Sequence, residues 1–284
     1  MTNSLYLNKP LQADNVFVEN SIVNFNQLTG LQSRRGYEKA VILNGKLVNV
    51  VSNSYGHLPN EKFFYAVEEK LIDADLNYDV RSVNRNDQAF SVDYILNDDS
   101  FHINVKNGKD EIKPMLRFTN SYDGSCKTSG HFGFFRQICT NGLHISQTEI
   151  GFSVKHRGNI AEIVLPEIKT LVSKFMDNEF YSLHKKFEVL SERKIENLEG
   201  FVKFVADKTK IFTFESSAKN PAPSLNARKV IDIVNKEARE IGTEPNFWLG
   251  YNAFNQVLHY EMKKGFQDQY NKDANIFDTV LSIN

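Results

Sequence analysis

Residues 78–98, YDVRSVNRNDQAFSVDYILND, decide the fold. Tyr78, Val80 and Val83 mark one run of alternating apolar and polar residues. Phe90, Val92, Tyr94 and Leu96 mark a second. Strict alternation is the period of a strand with one face buried. The intervening NRND carries the short polar side chains that favour turns. Two such strands joined by so short a turn run antiparallel, because a parallel pair needs a crossover of a dozen residues or more.

The pattern continues on both sides. Upstream, residues 39–52 (KAVILNGKLVNVVS) read as two short strands around Asn44-Gly45, a dipeptide suited to a two-residue hairpin turn. Residues 60–75 (NEKFFYAVEEKLIDAD) place Phe63, Phe64, Val67, Leu71 and Ile72 at helical spacing, with Asn60 as the expected N-cap. Downstream, residues 100–108 and 111–125 extend the sheet, and Pro114 marks an edge or bulge there. Helical spacing dominates from Ile160 to Leu198, and one or two further helices follow over 199–212. Residues 216–224 (SSAKNPAPS) read as a loop. A helix ends at Gly242, and 244–265 read as the final helix. The expected class is α+β: an antiparallel sheet with a packed helix in the N-terminal half, and a mainly helical C-terminal half. The expected division is an N-terminal arm over 1–35, a β-rich core over 36–160 and a helical region over 161–284, with core and helical region read equally well as one interlocked domain.

The chain has 284 residues, 41% of them apolar and 24% charged, enough to bury a core. Its formal charge of −1 gives no global signal for nucleic acid, although a local basic patch is compatible with it. No apolar run reaches the length of a membrane span, and residues 1–20 do not read as a signal peptide, so a cytoplasmic protein without membrane contact is expected.

Residues 120–144, NSYDGSCKTSGHFGFFRQICTNGLH, hold both cysteines and two histidines. Cys126, His131, Cys139 and His144 would space four ligands as C-x4-H-x7-C-x4-H. Structural zinc sites prefer closer cysteine pairs, so the cysteines are read as small packing residues and no metal or cofactor is expected. A nucleophilic thiol needs a base and an electropositive niche, which the spacing does not supply. Phosphate-binding and hydrolase signatures are missing from the sequence, and a non-enzymatic protein is expected.

The basic residues are more informative. Arg34, Arg35, Arg81, Arg85, Lys127 and Arg136 fall in the sheet half, interleaved with Phe132, Phe134, Phe135 and Phe152, and Lys155, His156 and Arg157 close the segment. Cations beside aromatic platforms are how single strands are held without sequence preference. The alternative is that the Phe residues form a core while the charges solvate the other face.

Three blocks resemble the DUF932 family of phage- and plasmid-borne proteins: NSYDGSCKTSG (120–130), FFRQICTNGL (134–143) and FWLGYNAFNQVLHYE (247–261). The resemblance implies a mobile-element context in a bacterial host, where replication, recombination and defence evasion are common tasks. The order of hairpin, helix and antiparallel meander is also loosely similar to that of single-strand annealing proteins. The expected function is therefore binding of single-stranded nucleic acid by a homo-oligomer, through the six basic residues, as an annealing or recombination accessory. The alternative is a protein that binds and modulates a host protein.

Overall fold

The computed structural model describes residues 3–7, 17–31, 36–85, 89–98, 103–105, 110–136, 142–143, 151–176, 181–217, 220–262 and 266–283. In chain order the strands are β1 (Asn3–Leu7), β2 (Asn20–Asn24), β3 (Tyr37–Leu43), β4 (Lys46–Ser52), β5 (Tyr78–Arg85), β6 (Ala89–Leu96), β7 (Ile103–Val105), β8 (Asp110–Ser121), β9 (Thr128–Arg136), β10 (Gly142–Leu143), β11 (Gly151–Val154), β12 (Glu215–Ser217) and β13 (Asn220–Pro223). The helices are α1 (Phe25–Thr29), α2 (Asn60–Asp73), α3 (Ile160–Met176), α4 (Tyr181–Glu192), α5 (Leu198–Thr209), α6 (Leu225–Ile241), α7 (Phe247–Gln256) and α8 (Phe266–Ser282). Every strand pairing among the described residues is antiparallel, and the α+β class stands.

The chain forms two compact units. Unit 1 takes Met1–Phe101, Met115–Phe132 and Gln147–Asn178, and unit 2 takes His102–Pro114, Gly133–Ser146 and Glu179–Asn284.

In unit 1 the sheet runs β1-β5-β6-β8-β9, with β11 paired to β9. The N-terminal arm thus contributes a strand, β1, to the edge beside β5. A second, three-stranded sheet is β2-β3-β4. Its β3–β4 turn has Asn44 and Gly45 at φ of 46° and 73°, the left-handed pair that a two-residue hairpin requires. Helices α2 and α3 cover one face of the larger sheet. Phe63 of α2 meets Phe118, Phe64 meets Phe90, and Phe175 of α3 meets Phe132. Cross-strand partners share a face, so Phe90 with Asn120 and Val92 with Phe118 line the helix side. Ser91, Asp93, Arg117, Thr119, Ser129 and His131 line the other. There Arg117 forks onto both oxygens of Asp93.

Gly130 marks the tightest packing in this layer. A Cβ there would stand 2.5 Å from Phe152 Cε1 and 2.7 Å from Phe118 Cε1, both on buried rings. Gly130→Ala is therefore expected to cost about 1–3 kcal/mol through overpacking, read as a lower urea midpoint. An unchanged midpoint would show that the rings can retreat.

Unit 2 holds helices α4–α8, the β12–β13 hairpin, and pairings of β7 with β8 and of β10 with β9. Its centre is α7, whose residues 247–255 are all buried. Trp248 packs on Phe187 at 4.8 Å, and Phe187 packs on Phe134 at 5.0 Å.

Three local expectations change. Residues 216–224 are largely a hairpin: the prolines obscured it, yet both lie on a two-stranded sheet where no second neighbour needs their missing N–H. The helix at 244–265 is not the last, since α8 follows, and α7 passes into a π-helical turn over Val257–Glu261. Asn60 does not cap α2. It is the first helical residue, and the capping position belongs to Pro59. The expected cap at Gly242 holds, closing α6 at φ 72°, and Asn197, not foreseen, caps α5 by accepting from Gly200 N at 2.9 Å.

Candidate nucleic-acid interface

Three segments of unit 1 meet around Tyr55: the loop after β4, the 122–127 turn between β8 and β9, and the residues after β11. Tyr55 forms an isolated antiparallel bridge with Arg157. Gly56 N donates to His156 O at 3.2 Å and Gly158 N to Ser54 O at 3.0 Å. The approach is close enough to demand glycine at 56, where a Cβ would lie 2.5 Å from Gly158 O. The Tyr55 hydroxyl donates to Tyr122 O at 3.0 Å, Lys39 Nζ to Tyr55 O at 3.1 Å, and the Asn49 amide to Asp123 O at 3.0 Å. The Tyr55 and His156 rings stack at 5.2 Å and 13°.

A buried polar network ties this junction to α2. Asn120 Nδ2 donates to Leu58 O at 2.8 Å and to Asn60 Oδ1 at 2.7 Å. Thr128 Oγ1 donates to Asn120 Oδ1 at 2.7 Å. Asn60, Asn120 and Thr128 are each fully buried. The partner of Asn60 is sixty residues away, which is why its local sequence suggested a cap instead.

Above the network lie exposed cations. Lys127, Lys155 and Arg157 are all exposed, and among the described residues none forms an ion pair. Thr128 pairs with Val154, so Lys127 and Lys155 stand opposite one another one step beyond the β9–β11 ladder. Like charges across a ladder repel. The nearby acid, Asp123, is buried and its Oδ1 accepts from Ser125 N at 2.9 Å. Burial lowers the pKa of His57, and the charges of His156 and Lys39 lower it further. Burial also lowers that of His156, against the pull of its Gly56 hydrogen bond and of Asp123. Burial pushes the Cys126 thiol up, away from the reactive thiolate.

Lys127 alone of the six expected phosphate ligands lies at this junction. Arg34 and Arg35 fall outside the described residues. Arg81 and Arg85 belong to β5, where Arg85 pairs with Phe90, and their side chains are also outside the described set. Arg136 points into unit 2. It is fully buried, with Nε 2.7 Å from Asp110 Oδ2 and Nη1 2.5 Å from Glu237 Oε2, and its guanidinium carbon lies 5.8 Å from the Trp248 ring centre. Of the four thiol and imidazole groups weighed as metal ligands, Cys139 and His144 are outside the described residues. Among the described residues no cluster of three or more His, Cys, Asp or Glu could hold a metal. The reading missed Lys39, Tyr55, His57 and the Asn60–Asn120 pair. One signal was present: the tripeptide Asn-Ser-Tyr occurs at 53–55 and again at 120–122, in the two segments joined by the Tyr55 hydroxyl.

The description "Domain of unknown function (DUF932)" matches residues 47–273, most of the chain. The chain belongs to the DUF932 family. No curated protein and no solved structure matches it. The DUF932 match takes in Tyr55, Lys127 and the 155–157 segment, while Lys39 precedes it. No helix among the described residues of this DUF932 protein is long and apolar enough to cross a membrane.

Proposed function

We propose that the Tyr55 junction binds the phosphates of a single-stranded nucleic acid, and that this DUF932 protein acts as a homo-oligomeric annealing or recombination accessory of a mobile element in the bacterial cytoplasm. The observation that carries the reading is the trio Lys127, Lys155 and Arg157. The fold sets exposed Lys127 and Lys155 opposite one another at the cost of mutual repulsion, with exposed Arg157 two residues further on at its bridge to Tyr55, and none has an acidic partner among the described residues. A phosphate chain would relieve that repulsion and release its own counterions.

Three phosphate contacts at a slope of about −0.7 each give an expected log–log salt slope of about −2 for a single strand. Fluorescence anisotropy with labelled oligothymidine reads it directly. The exposed triple variant K127Q/K155Q/R157Q is expected to lose at least about tenfold in affinity and to flatten the slope, with its fold unchanged. No binding at low salt, or binding indifferent to salt, would overturn the reading. Capture of a host protein that survives nuclease treatment would favour action on a protein partner instead. Light scattering reads the oligomeric state, and a monomer would remove the annealing role.

A further inference from the structure

The hydrogen-bond count around His156 does not close for a neutral ring. Nδ1 lies 3.1 Å from the carbonyl oxygen of Gly56, which can only accept, so Nδ1 carries a proton. Nε2 lies 3.3 Å from both Ser121 Oγ and Thr128 Oγ1. Each hydroxyl has a single proton to give. Thr128 gives its proton to Asn120 Oδ1 at 2.7 Å. That amide is fixed in orientation because Nδ2 faces two acceptors, Leu58 O and Asn60 Oδ1. Ser121 gives its proton to Cys126 O at 2.8 Å. Both hydroxyls therefore turn lone pairs toward Nε2. A neutral imidazole opposes them with a third lone pair, whereas an imidazolium donates to them and completes the network. The parallel Tyr55 ring presents its electron-rich face to the same imidazole, which also favours the cation.

Against the cation stands its burial. His57 is half-buried, its Nε2 is buried without a hydrogen-bond partner among the described residues, and the charges it faces are His156 and Lys39. Asp123 is the acid that faces His156. The exposed Lys127, Lys155 and Arg157 complete the surrounding charge. Burial is the main force that keeps both imidazoles neutral, and an anion seated on those three cations would add the negative charge that offsets it.

We infer that the junction is a proton-operated phosphate site, in which a phosphate on Lys127, Lys155 and Arg157 and a proton on His156 or His57 each strengthen the binding of the other. The coupling is reciprocal by thermodynamic necessity. It rests on the reading of the junction as a phosphate-binding surface, and adds that its grip tightens in acid.

The test follows the imidazole resonances of the full-length protein by NMR from pH 8 to pH 5, alone, with inorganic phosphate, and with oligothymidine. His57→Gln and His156→Gln identify the two signals among the seven histidines. In parallel, oligothymidine affinity is measured across the same range at constant ionic strength. The expected result is that both anions raise the titration midpoint of His156 or His57, and that affinity climbs by up to about tenfold per pH unit for each proton taken up. His57→Gln, at a half-exposed position, is expected to fold and to weaken that climb. Oligonucleotide affinity that ignores pH, with unmoved histidines, would overturn the inference and leave the nucleic-acid reading standing. Histidines moved by inorganic phosphate while the oligonucleotide fails to bind would support the proton-operated site and overturn the nucleic-acid reading. Histidines moved by neither anion would overturn the inference.

Discussion

Arg136→Met is expected to lower the unfolding free energy at pH 8 by about 3–5 kcal/mol, the usual cost of removing one partner from a buried ion pair. Arg136 is enclosed in unit 2 with two carboxylates. Asp110 and Glu237 are 1% and 5% exposed, and both depend on the same guanidinium. Without it, two like charges remain buried, and the Trp248 indole, 2.8 Å from Asp110 Oδ2, is the one side-chain donor left to either among the described residues. The pH dependence gives the mechanism away. Burial already raises the Glu237 pKa, and Arg136 opposes that rise. In the variant the opposition is gone, so the folded-state pKa climbs further above its unfolded value. A carboxyl raised in this way favours the fold below its unfolded pKa and loses that advantage as pH rises through the folded one. The deficit of the variant is therefore expected to shrink as pH falls toward 5. Trp248 is the only tryptophan in the chain and lies in this network, so its fluorescence in a urea titration reports the loss. A variant as stable as the parent at pH 8 would show that unit 2 relaxes to admit water.

The second large effect is acid destabilisation through His131. Burial, aided by the charge of Arg117, depresses its pKa from 6.5 to about 4. At neutral pH the ring is uncharged in both folded and unfolded chains, and it imposes no penalty. As pH falls below 6.5 the unfolded chain takes up a proton that the folded chain refuses. A gap of about 2.5 units at about 1.4 kcal/mol per unit drains about 3 kcal/mol by the time pH reaches 4. His131→Gln is expected to lose markedly less between pH 7 and pH 4, measured as urea midpoints by circular dichroism. His57 and His156 act in the same direction in phosphate-free buffer, so the substitution flattens the acid limb without abolishing it. Equal acid sensitivity in parent and variant would remove His131 from the account.

Local periodicity made much of the fold legible. The alternation over 78–98, the Asn44-Gly45 turn and the spacing of Phe63, Phe64, Val67 and Leu71 all describe short-range geometry, and β5, β6, the β3–β4 hairpin and α2 follow it. What could not be read depends on partners remote in the chain. Arg136 is a basic residue beside aromatics in sequence, but Asp110 and Glu237, 26 and 101 residues away, determine where its charge goes. Asn60 carries the chemistry of a cap, but Asn120 claims its side chain. The Tyr55 junction escaped notice for the same reason: its cations come from β3, the β8–β9 turn and the segment after β11. No single stretch of sequence shows them as neighbours. Lys127 was singled out, and Lys155 and Arg157 were noted as a basic close to their segment. Only the register of β9 with β11 places Lys155 opposite Lys127.

The interleaving of the two units bears on the order in which the protein is made. Unit 1 needs residues up to Asn178, and unit 2 needs His102–Pro114 together with helices that end at Ser282. On the ribosome, the Asp110 strand emerges long before Glu237 or Trp248 exists to receive it. Synthesis therefore passes through a stage in which unit 1 is complete in sequence while β7, the first part of β8 and the end of β9 still wait for their helices. Those waiting strands are the stretch most in need of protection from mispairing during translation.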